Sequence, residues 1–124
     1  MALARSRTFV VVHTRIDDFV MPAPEVVAAV ADRLRLLAEP TRLTICVALA
    51  QGESNPGCLA ELAGVAPAAL SQQLSRLRLA GVVKARRDGQ RIWYELVDPD
   101  VRHLVEHLLG ATRAAAEAAA EVSP

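Results

Sequence analysis

Apolar residues recur at helical spacing from Pro24 to Ala38, where Val27, Val30, Leu34 and Leu37 are separated by Asp32, Arg33 and Arg35. Pro24 suits a first-turn position, so the first helix begins there. Glu39-Pro40-Thr41 interrupts the pattern, because a residue before proline avoids the helical region. A second helix runs from Pro40 to about Ala50, with Leu43, Val47 and Ala50 along one side. Gln51–Pro56 gathers Gly52, Ser54, Asn55 and Pro56 and reads as a loop. A short third helix, Gly57 to Ala63, is stopped by Gly64, and Pro67 opens a fourth that reaches Ala80 before Gly81. Only Gly64, Val65 and Ala66 separate these last two helices, which is the spacing of a helix-turn-helix.

Beyond Gly81 the period changes. Val82–Arg87 and Gln90–Val97 flank Asp88-Gly89, and the second run alternates Ile92, Tyr94 and Leu96 with Trp93, Glu95 and Val97, a hairpin signature. A helix-turn-helix followed by a hairpin makes a winged helix, so the expected fold is mainly α with one β-hairpin. From Asp98, a candidate N-cap, the helical period returns with Val101, Leu104, Val105 and Leu108. The alanine-rich stretch after Gly110 has high helix propensity but little to bury, which favours fraying. Residues 1–23 form an N-terminal extension in which Thr8–Val12 fits either a strand or the start of an extra helix. The organisation expected is thus an extension (1–23), a winged-helix domain (24–110) and a C-terminal extension of the last helix (111–124).

The 124 residues suit one domain, and 52% hydrophobic content supplies more apolar surface than a small core consumes, which points to an oligomer. The longest apolar runs, such as Val26–Ala31 and Ile45–Ala50, fall well short of a membrane span, and Phe9–Val12 is cut off at His13 before it can form a signal-peptide core. A cytoplasmic protein is expected. Cys46 and Cys58 make neither a disulfide framework nor a C-x-x-C pair; Cys46 reads as a small core residue and Cys58 as a lone thiol. Net charge is zero, which taken alone disfavours a nucleic-acid partner. Charge is nevertheless segregated. Ala66–Arg91 holds Arg76, Arg78, Lys84, Arg86, Arg87 and Arg91 against Asp88 alone, a net +5, so the remainder carries −5. A concentrated positive segment is the electrostatic footprint of duplex binding.

On the fourth helix, Leu70, Leu74 and Leu77 form a narrow buried stripe, and Ser71, Gln72, Ser75 and Arg76 fall away from it. Glutamine can bond an adenine edge in two places, and serine can serve a base or a phosphate. Ser71 and Gln72 are therefore expected at base edges, with Gln73 and Ser75 beside them, and Arg76, Arg86, Arg87 and Arg91 on phosphates or in the minor groove, with Lys84 of the hairpin also among the DNA-binding residues. Phe9, Phe19, Trp93 and Tyr94 are too few and scattered for a single-strand stacking platform.

Three stretches in order, LRLLAEPTRLTICVALAQ (34–51), GVAPAALSQQLSRLRL (64–79) and RRDGQRIWYEL (86–96), resemble the ArsR/SmtB family of bacterial winged-helix repressors over roughly residues 24–110. The resemblance implies a homodimer built through the first and last helices, an inverted-repeat operator near a promoter, and release by an inducer, commonly a metal ion. Where the family's recognition helix carries a Ser-His-Gln or similar stretch, this chain has Ser71-Gln72-Gln73.

One metal site of the family uses cysteines in the third helix; here the corresponding segment reads Ser54-Asn55-Pro56-Gly57, and Cys58 stands where an acid is usual, so that thiolate site is missing. The other lies on the last helix, where Asp98 and Asp100 match the first two positions while Ala111 and Ala114 occupy the remaining two and cannot ligate. The same helix offers His103 and His107 one turn apart, on a strip with Asp100. Two readings stay open. Asp100, His103 and His107, with His13 or Asp98, form a nickel-, cobalt- or zinc-class site, or the histidines are dimer-edge residues and the dimer acts constitutively or through a regulatory partner protein. An enzyme is disfavoured by the lack of a nucleophile beside a base and of a glycine-rich phosphate loop.

Overall fold

The computed structural model describes residues 20–122, so Thr8–Val12 and His13 lie outside the described residues. The chain divides between Arg33 and Leu34 into two compact units. Helix α1 (Pro24–Leu37) begins in the first, and its last turn opens the second. The second unit continues with α2 (Pro40–Leu49), α3 (Pro56–Ala63), α4 (Pro67–Leu79), the hairpin β1 (Val83–Asp88) and β2 (Arg91–Leu96), and α5 (Pro99–Val122). This is the winged helix-turn-helix expected from the pattern. Helix α5 runs unbroken past Gly110.

Proline opens each of α2, α3 and α4, and the first two are capped by side chains. The Glu39 carboxylate accepts the Arg42 N–H at 2.9 Å, and the Asn55 side chain accepts the Cys58 N–H at 2.9 Å. Gly64 closes α3 in the left-handed conformation at φ 67°, which allows the sharp turn into α4. At the head of α5, Asp98 Oδ1 accepts from the backbone N–H groups of Asp100 (2.9 Å) and Val101 (3.2 Å), as its capping position predicts.

The core joins Ile45, Cys46 and Leu49 of α2 to Leu59 of α3, the Leu70, Leu74 and Leu77 stripe of α4, and Val83, Leu96, Val101 and Val105 from the wing and α5. On α2 the side that carries Leu43 and Val47 is not the one that faces the core. Leu43 is exposed and Val47 half-buried, while Ile45, Cys46 and Leu49 face the core. This helix is apolar on two sides, and periodicity alone does not rank them. Leu43 and Val47 instead line an apolar groove of about 490 Å³, with Leu34, Leu37, Leu104 and Leu108. Leu34 and Leu108 are 50% and 54% exposed there.

The hairpin pairs Val83 with Leu96 through to Asp88 with Arg91, so the two-residue loop is Gly89-Gln90, one residue later than the Asp88-Gly89 pair read from sequence. Gly89 takes φ 64° at the first loop position, where a mirror-image turn wants glycine. Ser54, in the segment read as pure loop, bridges Tyr94 by two backbone bonds of 3.1 and 2.8 Å and adds a one-residue third strand to the wing. Arg102 fastens α5 to this assembly: its guanidinium donates to the carbonyls of Ala50 (2.8 Å) and Leu96 (3.0 Å).

Candidate nucleic-acid interface

Helix α4 presents a two-sided surface. Leu70, Leu74 and Leu77 are buried, and Ser71, Gln72, Ser75 and Arg76 are exposed and border one shallow depression. The helix starts at Ala66 without a side-chain cap, so its first-turn N–H groups are left to an external acceptor. The alanine before Pro67 is the sequence signal of this uncapped start.

The wing supplies the cations, but not all of them on equal terms. Arg86 Nη2 sits 2.6 Å from the Glu53 carboxylate, and Lys84 Nζ lies 3.4 Å from Glu95, its cross-strand partner. The positive charge assigned to Lys84 and Arg86 is thus partly spent inside the chain. Arg76, Arg87 and Arg91 are exposed and form no ion pair with any described residue.

Gln73 departs from its expected place. It is half-buried, and its side-chain oxygen accepts a 2.6 Å bond from Arg42 Nη1, which turns the amide away from the exposed face. Arg42 is the one buried charged residue among those described, 9% exposed, and no periodicity in the sequence marks it. Its Nε donates to the Leu36 carbonyl at 2.6 Å. The capping bond from the Arg42 backbone N–H holds the Glu39 carboxyl below the usual carboxylate range.

The last-helix ligand set assembles only in part. Asp98 spends Oδ1 on the helix cap, and no group of three or more His, Cys, Asp or Glu side chains that could hold a metal ion occurs among the described residues. His103 and His107 do share an exposed strip, their rings nearly parallel with centroids 6.4 Å apart. Two imidazoles fall short of the four or more donors of a nickel, cobalt or zinc site. Cys46 is fully buried, and burial pushes its thiol up to about 11, while Cys58 is exposed. No described helix is long and apolar enough to cross a membrane.

Known proteins share this architecture. The profile of bacterial regulatory proteins of the arsR family matches residues 39–85, which span the helix-turn-helix and the start of the wing. The chain is 40% identical over 94 residues to the biofilm growth-associated repressor of Agrobacterium fabrum, a match covering 75% of this chain and 80% of that one. Among solved structures it is similar to the antimony-specific transcriptional repressor AntR (TM-score 0.72, 32% identity, covering 82% of this chain and 93% of the other). It is also similar to a homodimeric winged helix-turn-helix DNA-binding domain from Mycobacterium bovis (TM-score 0.65, 28% identity, covering 82% and 94%). The chain therefore belongs to the ArsR family and is a DNA-binding transcriptional repressor, not an enzyme.

Proposed function

We propose that the chain works in the cytoplasm as a homodimer on an inverted-repeat operator, with Ser71, Gln72 and Ser75 at base edges and Arg76, Arg87 and Arg91 on phosphates. The observation that carries this reading is the exposed polar face of α4, backed by a fully buried leucine stripe and flanked by wing cations with no partner among the described residues. Lys84 and Arg86 join the phosphate set only by leaving Glu95 and Glu53. The uncovered apolar groove between the last turn of α1, α2 and α5 supports a second copy as its cover, and the Mycobacterium bovis neighbour is homodimeric. Two-fold symmetry then places paired recognition helices about one helical turn apart, which an inverted repeat matches.

Fluorescence anisotropy with duplexes from upstream of the protein's own coding sequence tests the assignment. Gln72→Ala is expected to relax base preference by about 1–3 kcal/mol at one position. Arg87→Ala weakens every duplex alike and flattens the salt slope by about 0.9. If both variants bind like the parent, the assignment is wrong.

A divalent nickel-, cobalt- or zinc-class inducer is a second reading, favoured by the exposed His103–His107 pair, while the antimony-specific repressor among the structural neighbours supports a response to metals only in general. The further donors such a site needs come, on this reading, from the second copy. Calorimetric titration with nickel of the parent and of a His103→Ala, His107→Ala double variant decides it, since equal affinities eliminate the pair as ligands. A metal that leaves DNA affinity unchanged points to constitutive action or to a regulatory partner protein.

A further inference from the structure

We propose that Gln73 governs DNA reading without touching DNA: through Arg42 it locks the rotation of α4 to the corner between α1 and α2. The leucine stripe holds α4 by apolar packing, which is non-directional and tolerates roll about the helix axis. Arg42 adds direction. Its nearly buried guanidinium donates at 2.6 Å to the Leu36 carbonyl on the last turn of α1 and at 2.6 Å to the Gln73 side-chain oxygen. Both are charge-assisted bonds, and the Glu39 carboxylate pins the Arg42 backbone from below at 2.9 Å. With side-chain tips about 5–6 Å from the helix axis, a roll of about 20° displaces them by about 2 Å, enough to break a two-point contact with a base edge. Gln73 is thus a positioning residue, and Ser71, Gln72 and Ser75 inherit their aim from it.

The inference rests on the duplex-binding reading above, and the test separates the two. The full-length parent selects a duplex from a randomised pool of about 30 bp, and three variants are measured on that duplex and on an unselected one. Gln73→Glu, which adds a negative charge to α4 but keeps an acceptor for Arg42, stays within about threefold of the parent on both, whereas Gln72→Glu, on the exposed face, loses about a hundredfold or more. Gln73→Met, of similar length without an acceptor, loses about tenfold on the selected duplex and little on the unselected one, so the specificity ratio falls. Loss in Gln73→Glu equal to that in Gln72→Glu places Gln73 on the DNA and overturns the proposal, as does an unchanged ratio in Gln73→Met. Should the parent select no duplex, the DNA reading fails, and thermal melting still judges the lock. Gln73→Glu then melts above Gln73→Met at pH 7, with the gap closing as pH falls below about 4 and the introduced carboxyl is protonated. Equal melting at pH 7 overturns the lock.

Discussion

Replacing Glu53 by glutamine removes the negative charge that pairs with Arg86, weakens their contact to a hydrogen bond with a neutral acceptor, and leaves the wing otherwise intact. The pair is 2.6 Å apart with side chains 46% and 42% exposed, so it is a solvent-screened surface pair worth at most about 1 kcal/mol. That is the cost DNA must meet before Arg86 reaches a phosphate, about fivefold in affinity. Glu53→Gln is therefore expected to tighten binding to any duplex by up to about fivefold. It also adds one phosphate contact, which steepens the dependence of log K on log salt by about 0.9. Anisotropy across a salt series measures both quantities. Arg86→Gln completes a double-mutant cycle: it changes little in the parent and removes the whole gain in the Glu53→Gln background. Arg87→Gln serves as the comparison, because Arg87 has no ion-pair partner among the described residues and its loss flattens the slope in either background. An unchanged slope in Glu53→Gln, or an Arg86→Gln effect in the parent as large as that of Arg87→Gln, refutes the reasoning.

Leu77→Ala, at a fully buried position of the α4 stripe, is expected to cost about 2–5 kcal/mol in urea unfolding, and a loss under about 1 kcal/mol contradicts the packing described. The Glu39 carboxyl is held low by the Arg42 N–H, so the stability it contributes is present above its unfolded pKa and disappears as pH falls through the lower folded value. Glu39→Gln should flatten the acid limb of the stability curve, and parallel limbs in parent and variant would show that the cap carries no charge-linked stability. Native protein at pH 8 is expected to release one thiol per chain to a disulfide reagent, from exposed Cys58, and two once unfolded, since Cys46 is buried with its thiol pushed up to about 11. Two fast thiols in the native state would place Cys46 outside the core.

Local features of this chain were legible because their signals are local. The Leu70, Leu74 and Leu77 spacing, the proline and glycine boundaries and the Asp98 cap each involve residues within a turn or two of one another. What escaped was long-range pairing. Arg42 meets Gln73 across 31 positions and Arg86 meets Glu53 across 33, and no periodicity marks such partners in advance. Both omissions bear on the interface, since Gln73 and Arg86 look like groove and phosphate residues until their partners are known. The last helix shows the converse. Asp98, Asp100, His103 and His107 are crowded in sequence, yet capping the helix employs one carboxylate locally and leaves the imidazoles as a pair.

The Arg102 clip gives α5 a mechanical character. Twenty-four residues make a rod about 36 Å long. Its short arm is seated by Val101 and Val105, and from Glu106 to Glu121 every side chain is exposed. Arg102 joins this rod both to the end of α2 and to the last residue of β2, so it acts as a fulcrum at the root of the wing. From Arg102 to the far end is about 30 Å, and a lateral push of about 3 Å there tilts a stiff helix by about 6°. Whatever grips the exposed arm of α5 thereby pulls on the root of the wing that carries Arg87 and Arg91, through the two Arg102 hydrogen bonds together with the packing of Val101 and Val105 and the short link at Val97 and Asp98.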